Sequence, residues 1–128
     1  MYKKTHQNIV FLPTHNLEET SHFYSQILGL KLVLDQGSCQ IFCLNDQSFL
    51  GFCDHIPKIE PADSVIICII ESTQSDVLSK FDDLNTKKVR TDGNPRRNEK
   101  FGIFHFFAFD PNGYRLEFQS FDNPDWAG

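Results

Sequence analysis

Hydrophobic and polar positions run along this chain in two successive cycles. Residues 8–13 form a short apolar run closed by Pro13, the pattern of a strand. Helix signals follow at once. Asn16 can cap, and Glu19 three residues on can complete a capping box. Leu17, Tyr24, Ile27 and Leu28 then recur at helical spacing, and Gly29 supplies the stop. Three strand-like runs come next, at 30–34, 39–44 and 48–53, separated by the turn formers of 35–38 and 45–47.

A proline-flanked linker, 57–61, divides the chain, and after it the order begins again. Residues 65–70 are a β-branched run expected to be a strand buried on both faces. Ser72 or Thr73 can cap a helix that carries Val77, Leu78, Phe81 and Leu84 on one face. Residues 88–91 read as a weaker strand, followed by turn chemistry at 92–95. Runs at 101–109 and 114–121 flank Asp110-Pro111-Asn112-Gly113, the strongest hairpin signal in the chain. Each half therefore reads strand, helix, then about three strands. An internal repeat is the most economical account, with modules of about 6–56 and 62–121 in one domain covering 1–128. The expected class is α+β: two curved mixed sheets around a central cleft, with the helices outside.

The hairpin predicts which way side chains point. If Pro111, Asn112 and Gly113 form a three-residue loop, Asp110 pairs with Tyr114, Phe107 with Glu117, and His105 with Gln119. One face then collects Ile103, His105, Phe107, Phe109, Arg115, Glu117 and Gln119. The other collects Phe104, Phe106, Ala108, Leu116 and Phe118, all apolar and suited to lie under a helix. The mixed face is expected to line the cleft, and Glu117 is its most conspicuous polar residue. A carboxylate there either serves a ligand, or is paired with Arg115 or exposed at the sheet edge.

Composition sets outer bounds on this picture. The 128 residues are 40% hydrophobic and include 13 Phe, enough for a core without disulfides or structural metal. A net charge of −5 disfavours nucleic acid, which wants a basic stripe. The cations Lys87, Lys88, Arg90, Arg96, Arg97 and Lys100 cluster in a segment expected to be a solvated loop and strand edge. No apolar run reaches the ~20 residues of a membrane helix, and no apolar stretch follows the basic N-terminus as a signal peptide requires, so a soluble, cytoplasmic protein is expected. Cys39, Cys43, Cys53 and Cys68 sit inside apolar stretches without CxxC spacing, and in a reducing compartment they are read as small buried hydrophobes rather than disulfides or a zinc site.

Two segments resemble a known family. Ile9-Val10-Phe11-Leu12-Pro13, Asn16-Leu17-Glu18, Phe23-Tyr24 and Leu28-Gly29-Leu30 are similar to the opening of the vicinal oxygen chelate superfamily, which includes glyoxalase I, bleomycin-resistance proteins, extradiol dioxygenases and fosfomycin-resistance enzymes. Residues 109–117, Phe-Asp-Pro-Asn-Gly-Tyr-Arg-Leu-Glu, resemble its closing motif. The resemblance implies paired βαβββ modules and, in the metal enzymes, one divalent ion held by His or Glu from four strands, acting as a Lewis acid. It assigns those four positions here to Ile9, Gly51, Val65 and Glu117, of which Glu117 alone has a ligating side chain. No cofactor is therefore favoured. A remodelled site for zinc, nickel, manganese or iron from Cys53, His55, His105 and Glu117 is the alternative.

The leading expectation is a homodimeric protein that binds a small organic molecule, with resistance by sequestration as one form and no nucleic-acid or membrane partner. Its ligand-binding candidates are Glu117, Arg115, Gln119, His105, Phe107, Ile9, Phe11, Gly51, Cys53 and Val65. The alternative is a metal-dependent lyase, dioxygenase or thiol transferase, and a third reading is a cofactor-free isomerase or hydrolase with Glu117 or His105 as base. Phe42, Phe49, Phe101 and Trp126 are further stacking candidates, expected mostly in the core. His15 and His22 are expected to be surface or capping residues, and His6, in a loose N-terminal segment, carries no signal.

Overall fold

The structure, a computed structural model, describes residues 3–128. The chain divides into two compact units, Met1–Ile59 and Glu60–Gly128. The boundary falls inside the proline-flanked linker.

In the first unit, strand β1 (Asn8–Pro13) leads to helix α1 (Leu17–His22), and β2 (Lys31–Asp35), β3 (Cys39–Asn45) and β4 (Ser48–Cys53) follow. They form one mixed sheet of order β1-β4-β3-β2, with β1 parallel to β4 and the other pairs antiparallel. Asn16 caps α1 by accepting the Glu19 backbone N–H at 3.0 Å. The expected capping box is only half formed: the Asn16 backbone N–H donates to Thr14 Oγ1 at 3.2 Å, not to Glu19. Past His22 the helix widens into a π turn over Phe23–Ile27, and Gly29 ends it at φ 78°. That turn presents Tyr24 to one face of the sheet, where its ring lies 4.5 Å from Phe52 and 5.9 Å from Phe42. All three rings are fully buried.

The second unit repeats the plan. Strand β5 (Ile66–Ile70), helix α2 (Gln74–Thr86) and strands β6 (Arg96–Asn98), β7 (Ile103–Phe109) and β8 (Arg115–Phe121) give the order β5-β8-β7-β6, again with only the first pair parallel. Thr73 caps α2. The helix buries Val77 and Leu84 and sets Phe81 edge-on to Phe106 at 5.2 Å, while Phe106 stacks on Phe118.

The hairpin register is the expected one. Phe107 pairs with Glu117 and His105 with Gln119. Gly113, at φ 88°, takes the left-handed loop position, and the Asp110 carboxylate accepts the backbone N–H groups of Asn112 and Tyr114. The Tyr114 phenol is pushed up to about 12 by its burial and then by the Asp110 charge, so it stays protonated.

Several expectations are corrected. Strand β5 is an edge strand with only one face covered, so Ile66, Cys68 and Ile70 on the open face are exposed and only the alternate residues are covered. Leu78 is exposed too, because the buried stripe of α2 runs through Val77 and Leu84. Residues 88–91 form no strand beyond the single bridge Thr91–Ala108, and the edge strand lies instead at 96–98. There Arg96 is gripped by the Asp92 carboxylate, whose Oδ1 also accepts the Phe107 backbone N–H. Partial desolvation works against that carboxylate, yet Arg96 and the Phe107 N–H hold it below its usual range.

The cysteines depart furthest from expectation. Cys39 and Cys53 face each other across β3 and β4 and are bonded as a disulfide, while Cys43 and Cys68 are free. A separation of 14 residues carries no motif, but antiparallel pairing makes the two residues direct neighbours.

Candidate functional site

The second unit's sheet has one face under α2 and one that carries the mixed set of side chains. On that second face is an open concavity of about 500 Å³. Its polar floor comes from the hairpin strands. His105 on β7 and Glu117 on β8 are diagonal neighbours, and Nδ1 of the imidazole lies 2.7 Å from Oε2 of the carboxylate. Their side chains are only 9% and 13% exposed, so this is a desolvated pair and not a surface contact. An ionised Glu117 accepts, which fixes the proton on Nδ1 and leaves Nε2 as the remaining ring nitrogen.

Apolar neighbours orient the pair. Phe107 stands edge-on to the imidazole at 5.5 Å, and the walls are completed by Ile66, Phe101, Ile103 and Phe121. Phe101 is 64% exposed at the rim. Gln119 lines the same floor and donates its amide N–H to the Cys68 sulfur. The Cys68 residue is exposed, but its sulfur is partly desolvated. Desolvation and the nearby Glu117 carboxylate push the thiol up against the opposing Gln119 hydrogen bond, so it is not an activated nucleophile. Arg96, opposite His105 in the register, is held protonated chiefly by Asp92, with a smaller contribution from the Glu117 charge.

Only some of the candidate residues meet in one place. Glu117, His105, Gln119 and Phe107 come together around the concavity. Arg115 does not pair with Glu117. Its Nε donates to the Asp63 carbonyl at 2.7 Å and its guanidinium lies 4.9 Å from the centre of the Phe107 ring. Val65 precedes β5 and does not line the concavity; Ile66 does. Sequence reasoning misses Cys68 and Asn98. Pairing 65–70 alongside 115–119 by alternation is the signal that exposes Cys68 as the neighbour of Glu117. Asn98 sits on a strand too short and too polar to read.

Ile9, Phe11, Gly51, Cys53 and His55 belong to the first unit. Ile9 lines a small apolar concavity of about 270 Å³ with Val33, Leu34, Ile41 and Phe49. Phe11 pairs with Gly51 and lays its ring over it: a Cβ on Gly51 would stand 2.6 Å from Phe11 Cε1 and closer still to Cδ1. Cys53 is taken up by Cys39. Of the aromatic candidates, Phe42 is core, whereas Trp126 packs on Phe121 at the C-terminus. His6, His15 and His22 are exposed.

The four-strand metal arrangement implied by the family resemblance does not fit these residues. Ile9, Gly51 and Val65 have no side-chain lone pairs, and the space a longer residue at 51 would enter is filled by the Phe11 ring. The donor set at these four positions supports no reaction step through such an ion.

Comparison with known proteins agrees with this architecture. The chain is similar in fold to a glyoxalase/bleomycin resistance protein/dioxygenase from Nocardioides, with a TM-score of 0.79 at 17% identity over 94% of this chain and 85% of that one. A lactoylglutathione lyase from Agrobacterium tumefaciens gives a TM-score of 0.74 at 18% identity, covering 94% and 95% of the two chains. An integron cassette protein from the mobile metagenome of the Halifax Harbour sewage outfall gives 0.75 at 22% identity, covering 89% and 97%. No curated protein matches significantly in sequence. No helix among the described residues is long and apolar enough to cross a membrane. The sequence profile of the Glyoxalase/Bleomycin resistance protein/Dioxygenase superfamily matches residues 6–118, and the chain belongs to that superfamily.

Proposed function

We propose that this chain is a small-molecule-binding member of its superfamily that works without the usual divalent ion, in the cytoplasm and as a homodimer. One observation carries the reading: the His105–Glu117 pair is desolvated at the floor of a concavity walled by aromatic and aliphatic side chains. A volume of about 500 Å³ suits a drug-sized organic molecule. The exposed rings offer stacking area, and the carboxylate and imidazole offer a fixed polar anchor for an amine or hydroxyl. Sequestration of a toxic compound is one use of such a site. The homodimer reading draws support from the apolar residues Ile9, Val10 and Phe11, each more than 40% exposed on edge strand β1.

Equilibrium binding against a panel of aromatic and cationic compounds tests the proposal. At least one compound should bind the wild type and lose about tenfold or more in affinity on Glu117→Gln, the cost of one charge-assisted contact. Sedimentation should give twice the chain mass. A site indifferent to the whole panel, or stoichiometric metal that disappears with Glu117→Gln, would overturn the reading.

The same pair favours a second reading, cofactor-free acid–base catalysis. A carboxylate bound to Nδ1 fixes the imidazole's orientation and leaves Nε2 as the nitrogen that can face a bound compound, the arrangement of a general base. Turnover of a bound compound that depends on pH, and is lost in His105→Gln while binding survives, would select this reading over simple binding.

A further inference from the structure

The first unit holds a group of side chains that the pocket of the second unit does not use. Cys39 and Cys53 stand opposite each other where β3 and β4 pair, with Cα atoms 4.2 Å apart. The flanking hydrogen bond, Asp54 N–H to Ser38 O at 3.0 Å, makes theirs the narrow, non-hydrogen-bonded kind of pair, in which side chains approach most closely. His55, two residues beyond Cys53, brings its Nδ1 to 3.9 Å from the Cys39 sulfur. The three potential donor atoms all lie within 4.8 Å of one another.

We propose that Cys39, Cys53 and His55 form a zinc site when the disulfide is reduced, so that this corner of the first unit alternates between a disulfide and a metal complex. The geometry is close to what zinc needs. Tetrahedral Zn–S and Zn–N bonds of about 2.3 and 2.0 Å put neighbouring donors roughly 3.5–3.8 Å apart. The Cys39–His55 distance is already near that range, and only the two sulfurs must separate. Two thiolates and one imidazole are the donors zinc prefers over magnesium or calcium, and a water completes the fourth position. Cys53 is buried and His55 exposed, which gives the ion a rigid seat and a route in from solvent.

The redox step balances with a dithiol as reductant. Two electrons and two protons pass to the Cys39 and Cys53 sulfurs, their bond breaks, and the dithiol closes to its own disulfide. Zinc entry then displaces one proton from each thiol. Reoxidation by a disulfide compound reforms the Cys39–Cys53 bond and expels the ion. The free thiols Cys43 and Cys68 are engaged elsewhere, with the Asn45 carbonyl and with Gln119, and take no part.

Cobalt(II) titration of the full chain tests this. Protein reduced with dithiothreitol, then freed of it under anaerobic conditions, should bind one equivalent of cobalt. The signature is a thiolate-to-metal charge-transfer band with the intense visible bands of a tetrahedral centre, both bleached by one equivalent of zinc. The oxidised protein should show neither. His55→Ala, a change at an exposed residue, should weaken binding by at least about tenfold, and Cys39→Ser should reduce the charge-transfer band. Glu117→Gln should leave the titration unchanged, which separates this site from the pocket. Reduced wild type without a charge-transfer band would overturn the proposal. So would a band that persists at equal affinity in a folded His55→Ala protein, because the signal would then belong to Cys43 or Cys68.

Discussion

The two units follow one plan and diverge in what they place on the sheet face away from the helix. Each runs strand, helix and three strands, and each pairs its first strand parallel to its last. Beneath the helices the contents match in kind: Tyr24, Phe42 and Phe52 in the first unit, Phe81, Phe106 and Phe118 in the second. On the other face, the first unit sets Phe11 over Gly51, while at the same strand pairing the second sets Cys68 beside Glu117 with His105 within hydrogen-bond reach. The helix face is governed by packing volume, so both halves must solve it alike. The opposite face is free to differ, and in the second unit it carries the candidate site.

The shared face should fail first and hardest. Phe52→Ala removes a fully buried ring that touches both Tyr24 and Phe42, and Phe106→Ala removes its counterpart beneath α2. Each should cost about 3–5 kcal/mol in chemical denaturation. Similar losses would support equal packing of the two units; a cost below about 1 kcal/mol for either would break the parallel.

The divergent face should respond according to its chemistry. Glu117→Ala leaves the buried His105 ring without its partner and should destabilise by about 2–3 kcal/mol at neutral pH. His105→Ala/Glu117→Ala should cost less than the two single changes summed, which is the coupling a double-mutant cycle reads. In the first unit, Gly51→Ala should cost about 1–3 kcal/mol because its new Cβ meets the Phe11 ring. Adding Phe11→Ala should recover most of that loss. An additive outcome would mean that the ring is not what keeps position 51 small.

How much of this is legible in the sequence depends on how local the determining physics is. The 110–114 loop carries its own turn chemistry in Asp110 and Gly113, so the register and the facing of His105, Phe107, Glu117 and Gln119 follow from adjacent residues alone. The contact between His105 and Glu117 does not follow, because Arg115 is an equally available partner until the fold brings the Asp63 carbonyl to occupy it. Edge position is likewise hidden. The apolar run at 66–70 looks the same whether a strand is central or peripheral, and only the sheet order exposes Cys68. The disulfide escapes because separation in sequence says nothing about which antiparallel neighbours meet. Strand β6 escapes since Arg96-Arg97-Asn98 has no apolar alternation and is held by side-chain bonds to Asp92 and Asp122.

That last difference between the units can be sharpened by pH. In the second unit, the Asp92 carboxylate ties Arg96 of β6 to the backbone N–H of Phe107 on β7, and its pKa in the fold lies below the ordinary value of 3.8. A depressed carboxylate pKa means that the unfolded chain takes up its proton first as pH falls. The contribution of Asp92 is therefore complete above the unfolded value and is lost as pH drops through the lower folded one. Because both partners are partly solvent-exposed, the stabilisation should be only about 1 kcal/mol at pH 7. Asp92→Asn should show that deficit at neutral pH and converge with the wild type once pH falls below the lowered folded-state pKa of Asp92. Amide exchange should quicken at Phe107 and leave the first-unit strands unchanged. A deficit that keeps the same size as the pH falls through the acid range would mean that Asp92 acts through packing and not through its charge.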